Sequence, residues 1–275
     1  MDVYCNSHLK NEMQIVSFNT FGLPNYMSWR RIADICAEIK KLDADILCFQ
    51  EIQQKAYIGQ LKNHLPSHFH LAYGIEGHIP MGNLVTASKE KPVRTEFKLF
   101  PNRGKKVSIG FADWYSFKGV LLTEFDCAGQ RVVVMNTHTN ASYLAQWDPE
   151  SPISRIQRDQ VAFLAEMGKS QASDAFVVIC GDFNFPRGTK MYEEMIEKSG
   201  FFDPLAEDPR PTYQPVSFLK KSWSIPLDFF FCRQPSKVNL KVRADIQKMI
   251  NPVPRFPYGK FLSDHFAIIL NLEKE

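Results

Sequence analysis

The chain has 275 residues, 44% of them hydrophobic and 23% charged, so it can bury a sizeable core and lacks the composition of a disordered protein. Its net charge of +3 neither requires nor excludes a nucleic-acid partner. It contains no run of 18 apolar residues, and its first residues lack the basic and apolar segments of a secretory signal. We therefore expect a cytoplasmic protein without a membrane span.

Seven apolar runs rich in Val, Ile and Phe predict β-strands, because such residues pack well on a pleated surface. The runs are residues 14–18, 44–49, 119–125, 131–137, 175–181, 227–232 and 265–270. The segment 98–118 mixes basic and aromatic residues, and its pattern fits either a long surface loop or an irregular hairpin.

Helical patterns lie between some of these strands. Ser28 is the predicted N-cap of a helix whose apolar residues recur every three or four positions. That stripe is Trp29, Ile32, Ile35, Ile39 and Leu42. Ser154 is the predicted N-cap of a second helix, and residues 189–199 predict a third. The apolar side of the second helix is Ile156, Phe163 and Met167.

Some predicted strands alternate with helices and others follow each other directly, which favours a mixed-sheet α/β or α+β fold. Two packed sheets with helices outside them would suit a single domain covering residues 1–275. Six cysteines are scattered along the chain without a CxxC pair, so we expect buried free thiols and no structural zinc site. They are Cys5, Cys36, Cys48, Cys127, Cys180 and Cys232.

Polar residues stand at one end of most of these strands, where each taken alone has a structural explanation as a turn or cap residue. Together they predict one sheet edge lined with carboxylates, amides and imidazoles, a common position for a ligand site. They are Asn19, Glu51, His138, Asn140, Asp182, Asn184, Asp228, Asp264 and His265.

The residue types in this set predict metal-assisted hydrolysis. Asn19, Glu51 and Asp264 offer hard oxygen ligands, which suit Mg²⁺ or Mn²⁺. His138 and His265 can donate to a phosphoryl oxygen or move protons near neutral pH. No serine lies in a GxSxG elbow, so the sequence indicates attack by water rather than by a covalent nucleophile.

The other members of the set would orient the reacting groups. Asp228 can hydrogen-bond His265 and fix its tautomer, as an Asp does in a catalytic triad. Asp182 and Asn184 can position a water molecule or a phosphate oxygen.

The ordered motifs SFN, FQE, NTHTN, GDFN, LDF and SDH resemble those of the endonuclease/exonuclease/phosphatase superfamily of metal-dependent phosphoesterases. The resemblance runs from Asn19 to His265. It implies a deoxyribonuclease-I-like, four-layer β-sandwich of two mixed sheets flanked by helices. It also implies that Glu51, helped by Asn19, holds a catalytic Mg²⁺, with Mn²⁺ as a substitute. Asp264 would support the metal or the loop of His265.

The same resemblance implies roles for the remaining motif residues. His265, paired with Asp228, would act as the general base or bind the scissile phosphate. Asp182 and Asn184 would orient the attacking water and the phosphate. His138 would stabilise the transition state or assist the leaving group.

Within the superfamily, the stretches 18–24, 113–125 and 136–143 resemble neutral sphingomyelinases. Asn140 and Lys118 would then bind the substrate phosphate, although a lysine before a strand is more often exposed. The larger members of that branch carry C-terminal hydrophobic helices that this chain lacks. Any membrane contact is therefore expected to be peripheral. Export by a route that uses no N-terminal signal is left open. We expect a monomer.

Two aromatic and basic stretches, residues 111–117 and 251–261, would suit phospholipid headgroups. They would suit base stacking beside a phosphate backbone about as well, so a nuclease or nucleic-acid-end phosphodiesterase is the alternative. An inositol-polyphosphate phosphatase is disfavoured because the signature of that branch is missing around Asp228. The intact polar set argues against a binding module without activity.

Overall fold

The computed structural model describes residues 12–22, 26–104, 114–127, 129–142, 147–215, 224–255 and 259–274. Its helices are α1 (Tyr26–Ile39), α2 (Lys55–His64), α3 (Pro152–Lys169) and α4 (Lys190–Ser199). Its strands are β1 (Glu12–Asn19), β2 (Ile46–Gln50), β3 (His70–Ala72), β4 (Ile75–Glu76), β5 (Ile79–Pro80), β6 (Val85–Ser88), β7 (Arg94–Leu99), β8 (Gly119–Cys127), β9 (Gln130–His138), β10 (Phe176–Asp182), β11 (Asp228–Arg233), β12 (Leu240–Gln247), β13 (Ile250–Arg255), β14 (Gly259–Phe261) and β15 (Ala267–Lys274). All seven predicted strands are confirmed, with ends that differ by a few residues.

Two mixed sheets form the body of the fold. One has the strand order β12-β15-β1-β2-β6-β3, and the other has the order β11-β10-β9-β8-β7. Each contains one parallel pair, β1 with β2 and β9 with β10, and antiparallel strands lie on both sides of that pair. The two sheets therefore repeat one architectural plan, although the sequence shows no internal repeat.

Three apolar clusters make this a four-layer sandwich. Residues of α1 and α2 pack on the outer face of the six-stranded sheet, and residues of α3 and α4 pack on the outer face of the five-stranded sheet. The third cluster fills the space between the sheets. In β10, Val177 and Ile179 belong to the outer cluster, whereas Phe176, Val178 and Cys180 belong to the inner one. This alternation explains why the central strands are continuously apolar, and it confirms the expected fold class.

The predicted helix starts were wrong in two places. Helix α1 begins at Tyr26, so Ser28 lies inside it, and Trp29 points outward with 51% of its surface exposed. Helix α3 begins three residues earlier than predicted because Ser151 is the N-cap, and its Oγ accepts the backbone N–H of Ser154. Pro152 at the first helical position favours this earlier start. The third helix, α4, is confirmed at residues 190–199.

Several elements carry no strong sequence signal. Strand β12 reads LKVRADIQ with mostly exposed or half-buried residues at the sheet edge, as charged edge strands do. Part of the ambiguous segment 98–118 is resolved, because residues 94–99 pair with β8, and residues 105–113 lie outside the described residues.

The described cysteines are free thiols, as expected. All but Cys127 are buried, and Cys127 is partly buried. Cys5 lies outside the described residues. Among the described helices, none combines the length and the apolar character needed to cross a membrane.

Candidate active site

The predicted site residues lie at one end of the sandwich, because both parallel pairs end there. Asn19 ends β1, opposite Gln50 at the end of β2. In the other sheet, Asp182 ends β10 and lies in register with His138 on one side and Asp228 on the other. The carboxyl ends of the parallel strands β9 and β10 thus lie beside the first residue of the antiparallel strand β11. This arrangement brings together residues that are far apart in the sequence.

The two sheets are joined at the site by Asn19. Its Nδ2 donates to Glu51 Oε1 at 3.1 Å and to Asp182 Oδ2 at 2.9 Å. Its Oδ1 accepts the backbone N–H of Phe21 at 2.9 Å. In this arrangement Asn19 orients the two carboxylates, so its support of Glu51 is direct.

Asp182 is the centre of the acidic and imidazole groups. Its Oδ2 lies 3.4 Å from His138 Nε2 and 3.6 Å from His265 Nε2. His265 Nδ1 lies 2.8 Å from Asp228 Oδ2, the pairing that the sequence predicted. Ligand-capable atoms of Glu51, His138 and Asp182 lie within 4.8 Å of one another, as do those of Asp182, Asp228 and His265.

The two histidines are shifted in opposite directions. For His138, burial and the nearby charges of Lys118 and His265 lower the pKa well below its ordinary value. For His265, burial opposes protonation, but the carboxylates of Asp228 and Asp182 outweigh it and raise the pKa well above its ordinary value. The surroundings therefore disfavour the protonated, cationic form of His138 and favour that of His265.

Two carboxyl groups of the site bind protons more tightly than usual. Burial, with a contribution from the Asp228 charge, raises the pKa of Asp182 to about 6, although His265 opposes the shift. Burial also raises the pKa of Asp264 to about 7, opposed by His265 and assisted by Glu51. Crowded carboxylates of this kind fit a hard divalent cation, because such a cation would relieve their repulsion. Glu51 and Asp182, whose carboxylate oxygens lie within 4.8 Å of each other, are the residues that would hold it, and the ligand role expected of Asp264 stays a prediction.

The backbone at Glu51 and Asn184 adopts conformations that these residue types seldom take. Their φ angles are +60° and +53°, in the left-handed region. The loop of Gly22 packs so closely on Glu51 that a Cβ at Gly22 would lie 1.7 Å from the Glu51 carbonyl oxygen. The absence of a side chain at Gly22 therefore allows the conformation that turns Glu51 into the site.

Lys118 is buried, contrary to the more common exposed position for such a lysine. Its Nζ donates to the Thr139 carbonyl at 3.1 Å, and its charge acts on both His138 and Asp182. The expected phosphate contact of Lys118 stays a prediction, and this position is consistent with it.

The two asparagines of the set make scaffold contacts. Asn140 Nδ2 donates to the Arg103 carbonyl, and Asn140 Oδ1 accepts from Gln160 Nε2 at 2.6 Å. Both ends of the Asn140 amide are therefore hydrogen-bonded within the protein. The Asn184 backbone N–H donates to Asp182 Oδ1, and its Nδ2 donates to the Thr139 carbonyl. Asn184 therefore orients Asp182, and the substrate contact expected of Asn140 stays a prediction.

Two site residues were missed in the sequence. Thr212 Oγ1 accepts the backbone N–H groups of Leu227 and Asp228, both at 2.9 Å, which fixes the start of β11. The Tyr213 ring lies 5.0 Å from the His265 ring. Burial and the carboxylates of Asp264, Asp182 and Glu51 raise the Tyr213 pKa to about 12, so it stays a neutral donor. These residues lie in a proline-rich loop without a periodic pattern, so only their aromatic and hydroxyl character was visible beforehand.

A sequence pattern of the Endonuclease/Exonuclease/phosphatase family matches residues 16–265. The chain belongs to this family. The match covers every motif of the site, from Asn19 to His265, and the resemblance noted in the sequence is confirmed.

One relative matches nearly the whole chain. A Drosophila melanogaster protein named "Putative neutral sphingomyelinase" is 28% identical over 278 residues, which cover 95% of this chain and 61% of the relative. The chain thus spans about three fifths of that relative's length.

Two solved structures share the fold. Sphingomyelinase C from Streptomyces griseocarneus has a TM-score of 0.76 at 18% identity, covering 94% of this chain and 99% of that one. D. rerio TDP2, solved with a single-strand DNA product, has a TM-score of 0.70 at 18% identity, covering 96% and 100%. At these identities the likeness concerns the fold alone.

Proposed function

We propose that this chain is a Mg²⁺-dependent phosphodiesterase of the sphingomyelinase type, which hydrolyses the bond between a phosphate and a lipid alcohol. The observation that carries the hydrolytic part is the position of Asp182, within 3.6 Å of both His138 and His265 and 2.9 Å from Asn19. The lipid part is supported by the Drosophila relative, which matches nearly the whole chain.

His265 is assigned to phosphate binding. Because its pKa is raised, the ring keeps both protons at neutral pH, and Nδ1–H donates to Asp228. Nε2–H is then free to donate to a non-bridging phosphate oxygen as charge develops there. Between the two roles that the sequence left open, the charges around His265 favour this one over general base.

Asp182 is assigned as the proton acceptor. Burial raises the pKa of Asp182 to about 6, so this carboxylate accepts a proton from water more readily than an ordinary Asp does. The water oxygen bonds to phosphorus as one of its protons passes to Asp182, the phosphorus–oxygen bond to the lipid alcohol breaks, and the departing alcohol oxygen takes up that proton. Neutral His138, 3.4 Å from Asp182, is assigned to hydrogen-bond that oxygen. When bound, Mg²⁺ would neutralise charge on the phosphate and polarise it.

A peripheral contact with a membrane would bring the substrate to this site. Trp29 and Ile250 are large apolar residues with 51% and 43% of their surfaces exposed, and Lys248 and Lys260 are exposed near Ile250. Helix α1 contacts β13, so the two exposed apolar residues come from neighbouring elements. Strand β14 leads directly into the loop of His265. Apolar and basic side chains together suit a phospholipid surface. We propose that the protein makes this contact as a monomer in the cytoplasm.

Parts of the predicted contact stretches lie outside the described residues, namely 111–113 and 256–258. Within the first stretch, Tyr115 is described and has 52% of its surface exposed. It therefore adds a second exposed aromatic residue to the proposal.

The second candidate function is a nuclease or nucleic-acid-end phosphodiesterase. The observation that favours it is the shared fold with TDP2, which was solved with a single-strand DNA product. A side-by-side assay in Mg²⁺ separates the two functions. It would compare sphingomyelin vesicles, lysophospholipid micelles, and single- and double-stranded DNA and RNA. We expect lipid turnover, and cleavage of nucleic acid without lipid turnover would overturn the lipid assignment.

The hydrolytic site is tested by Glu51→Gln and His265→Ala, each assayed on a chromogenic phosphodiester. We expect each variant to lose at least about 100-fold in turnover with its circular dichroism unchanged, because each removes a group that acts on the phosphate. Glu193→Gln and His70→Ala change exposed residues and serve as controls. Near-wild-type turnover of either site variant would refute the role given to that residue.

A further inference from the structure

Two loops from opposite ends of the chain carry the metal side of the site. The first follows Asn19 at the end of β1 and contains Thr20 and Phe21. The second contains Asp264 and His265 and precedes β15. The relative position of these loops sets the distance between Glu51, which Asn19 orients, and the two residues of the second loop.

Arg31 of α1 binds both loops. Its Nη1 donates to the carbonyl of Thr20 at 2.6 Å and to the carbonyl of Leu262 at 3.1 Å. Its Nη2 donates to the carbonyl of Phe21 at 2.5 Å, and the guanidinium lies 5.6 Å from the centre of the Phe21 ring. The side chain is 4% exposed, so these bonds form away from water, where they are strongest.

Ser263 makes a second link between the same loops. Its Oγ donates to the Asn19 carbonyl at 2.8 Å and accepts the backbone N–H of His265 at 3.1 Å. Ser263 is buried as well. The hydroxyl therefore connects the residue that orients Glu51 with the residue that faces Asp228.

We infer that Arg31 and Ser263 form a loop clamp that positions Glu51 against Asp264 and His265, and that this clamp determines the affinity for the divalent cation and the rate of hydrolysis. Both are positioning residues, since they contact loop carbonyls and amides and act on the site through them. The clamp requires arginine, because a planar fork of donors can reach three carbonyls at fixed angles and the single ammonium of lysine cannot. The inference rests on the proposed hydrolytic site.

The decisive variant is Arg31→Lys, which keeps the positive charge. Groups that orient metal ligands typically change affinity or activity 10- to 100-fold when altered, so we expect Mg²⁺ binding to weaken about 10-fold or more. Titration calorimetry with Mg²⁺ alone measures this without any substrate. On the chromogenic phosphodiester at saturating Mg²⁺, kcat should fall while KM for the phosphodiester changes little. Ser263→Ala should shift both quantities in the same direction by a smaller factor.

Arg233→Lys is the matched control. Arg233 also donates to several backbone carbonyls, those of Gly168, Gln171 and Ala172 among them. It lies at the far end of β11 from Asp228, roughly 17 Å away at about 3.3 Å per residue. We expect Arg233→Lys to lower the melting temperature and to leave Mg²⁺ affinity and kcat at the wild-type values.

The loop clamp is refuted if Arg31→Lys and Ser263→Ala lose only thermal stability, as the Arg233 control should. If Arg31→Lys does not fold, Ser263→Ala decides alone. Absence of lipid turnover in the wild type would count against the proposed substrate, whereas the calorimetric result for Mg²⁺ would still decide the clamp.

Discussion

At the scale of single residues, the site shifts the pKa values of two histidines in opposite directions with the same few neighbours. Asp228 and Asp182 favour a second proton on His265, while burial, Lys118 and protonated His265 disfavour one on His138. The result is one cationic donor and one neutral imidazole on either side of Asp182. In the proposed function, the cationic ring suits an anionic phosphate oxygen, and His138 lies on the other side of Asp182.

Protons and Mg²⁺ should compete for the carboxylates of Asp182 and Asp264. Their pKa values of about 6 and about 7 lie above the ordinary 3.8. Each protonated carboxyl therefore stabilises the metal-free fold below about pH 4. That stability is lost as the pH rises through the pKa of the group in the folded protein. At pH 8 both groups are ionised, and the cation has most to neutralise. We expect Mg²⁺ to raise the melting temperature more at pH 8 than at pH 5.5.

Scanning fluorimetry at constant ionic strength measures that difference. The lowered pKa of His138 makes the fold less stable as the pH falls below the ordinary pKa of histidine, which opposes the effect of the two carboxyl groups. The quantity to compare is therefore the change in melting temperature that Mg²⁺ causes at each pH. In Asp264→Asn the pH dependence of this shift should shrink. Equal Mg²⁺ shifts at both pH values would contradict the assigned role of the carboxylates.

At the scale of elements, the site depends on close approach between strands. Gly181 in β10 has φ +142°, and an added Cβ would lie 1.9 Å from the Thr137 carbonyl of β9. The register that places Asp182 beside His138 therefore requires a glycine one position before it.

Gly181→Ala should disrupt the pairing of β9 with β10. We expect a strong loss of stability, seen as poor solubility or a greatly lowered urea midpoint. Gly59→Ala provides the contrast, because Gly59 lies inside α2 and a Cβ there meets no heavy atom within 4 Å. That variant should be more stable by about 0.5 to 1 kcal/mol. A Gly181→Ala protein with wild-type stability would show that the strand contact adjusts at little cost.

Prediction from the sequence succeeded for strands and was weaker for helix starts. Runs such as FVVICGD are apolar on both faces, and few structures other than a strand buried on both sides accommodate them. A helix start depends on one capping residue among several serines, and the prediction took Ser154 where the fold uses Ser151. Pro152 decided between them in the fold, since it stabilises a start at its own position.

At the scale of the whole molecule, a buried polar link joins the two sheets beneath the site. Asn136 of β9 donates to the carbonyls of Phe49 and Val85 in the other sheet, both at 3.2 Å, and accepts from Gln50 Nε2 at 2.8 Å. Gln50 immediately precedes Glu51, and Asn136 lies two residues before His138. The link therefore ties the metal side of the site to the catalytic side.

Asn136→Ala should lower the free energy of unfolding by about 2 kcal/mol, because it leaves buried carbonyls without donors. Urea denaturation measures the change. Asn271→Ala removes a single hydrogen bond to Gln14 within one sheet at a half-buried position, and it should cost no more than about 0.5 kcal/mol. Similar losses of unfolding free energy in the two variants would show that the position of Asn136 between the sheets adds no stability beyond that of an ordinary hydrogen bond.

The sequence by itself determined the strands, the family and the polar groups at the strand ends, because local patterns and motif order carry that information. Only the tertiary structure decided how those groups act on one another. Burial and the approach of two sheets set the proton on His265, the basicity of Asp182 and the hidden position of Lys118. They also revealed Arg31 and Tyr213, whose contacts join segments more than 200 residues apart or lie in a loop without periodicity. Desolvation and long-range contact are properties of the folded chain, so no local pattern could have supplied them.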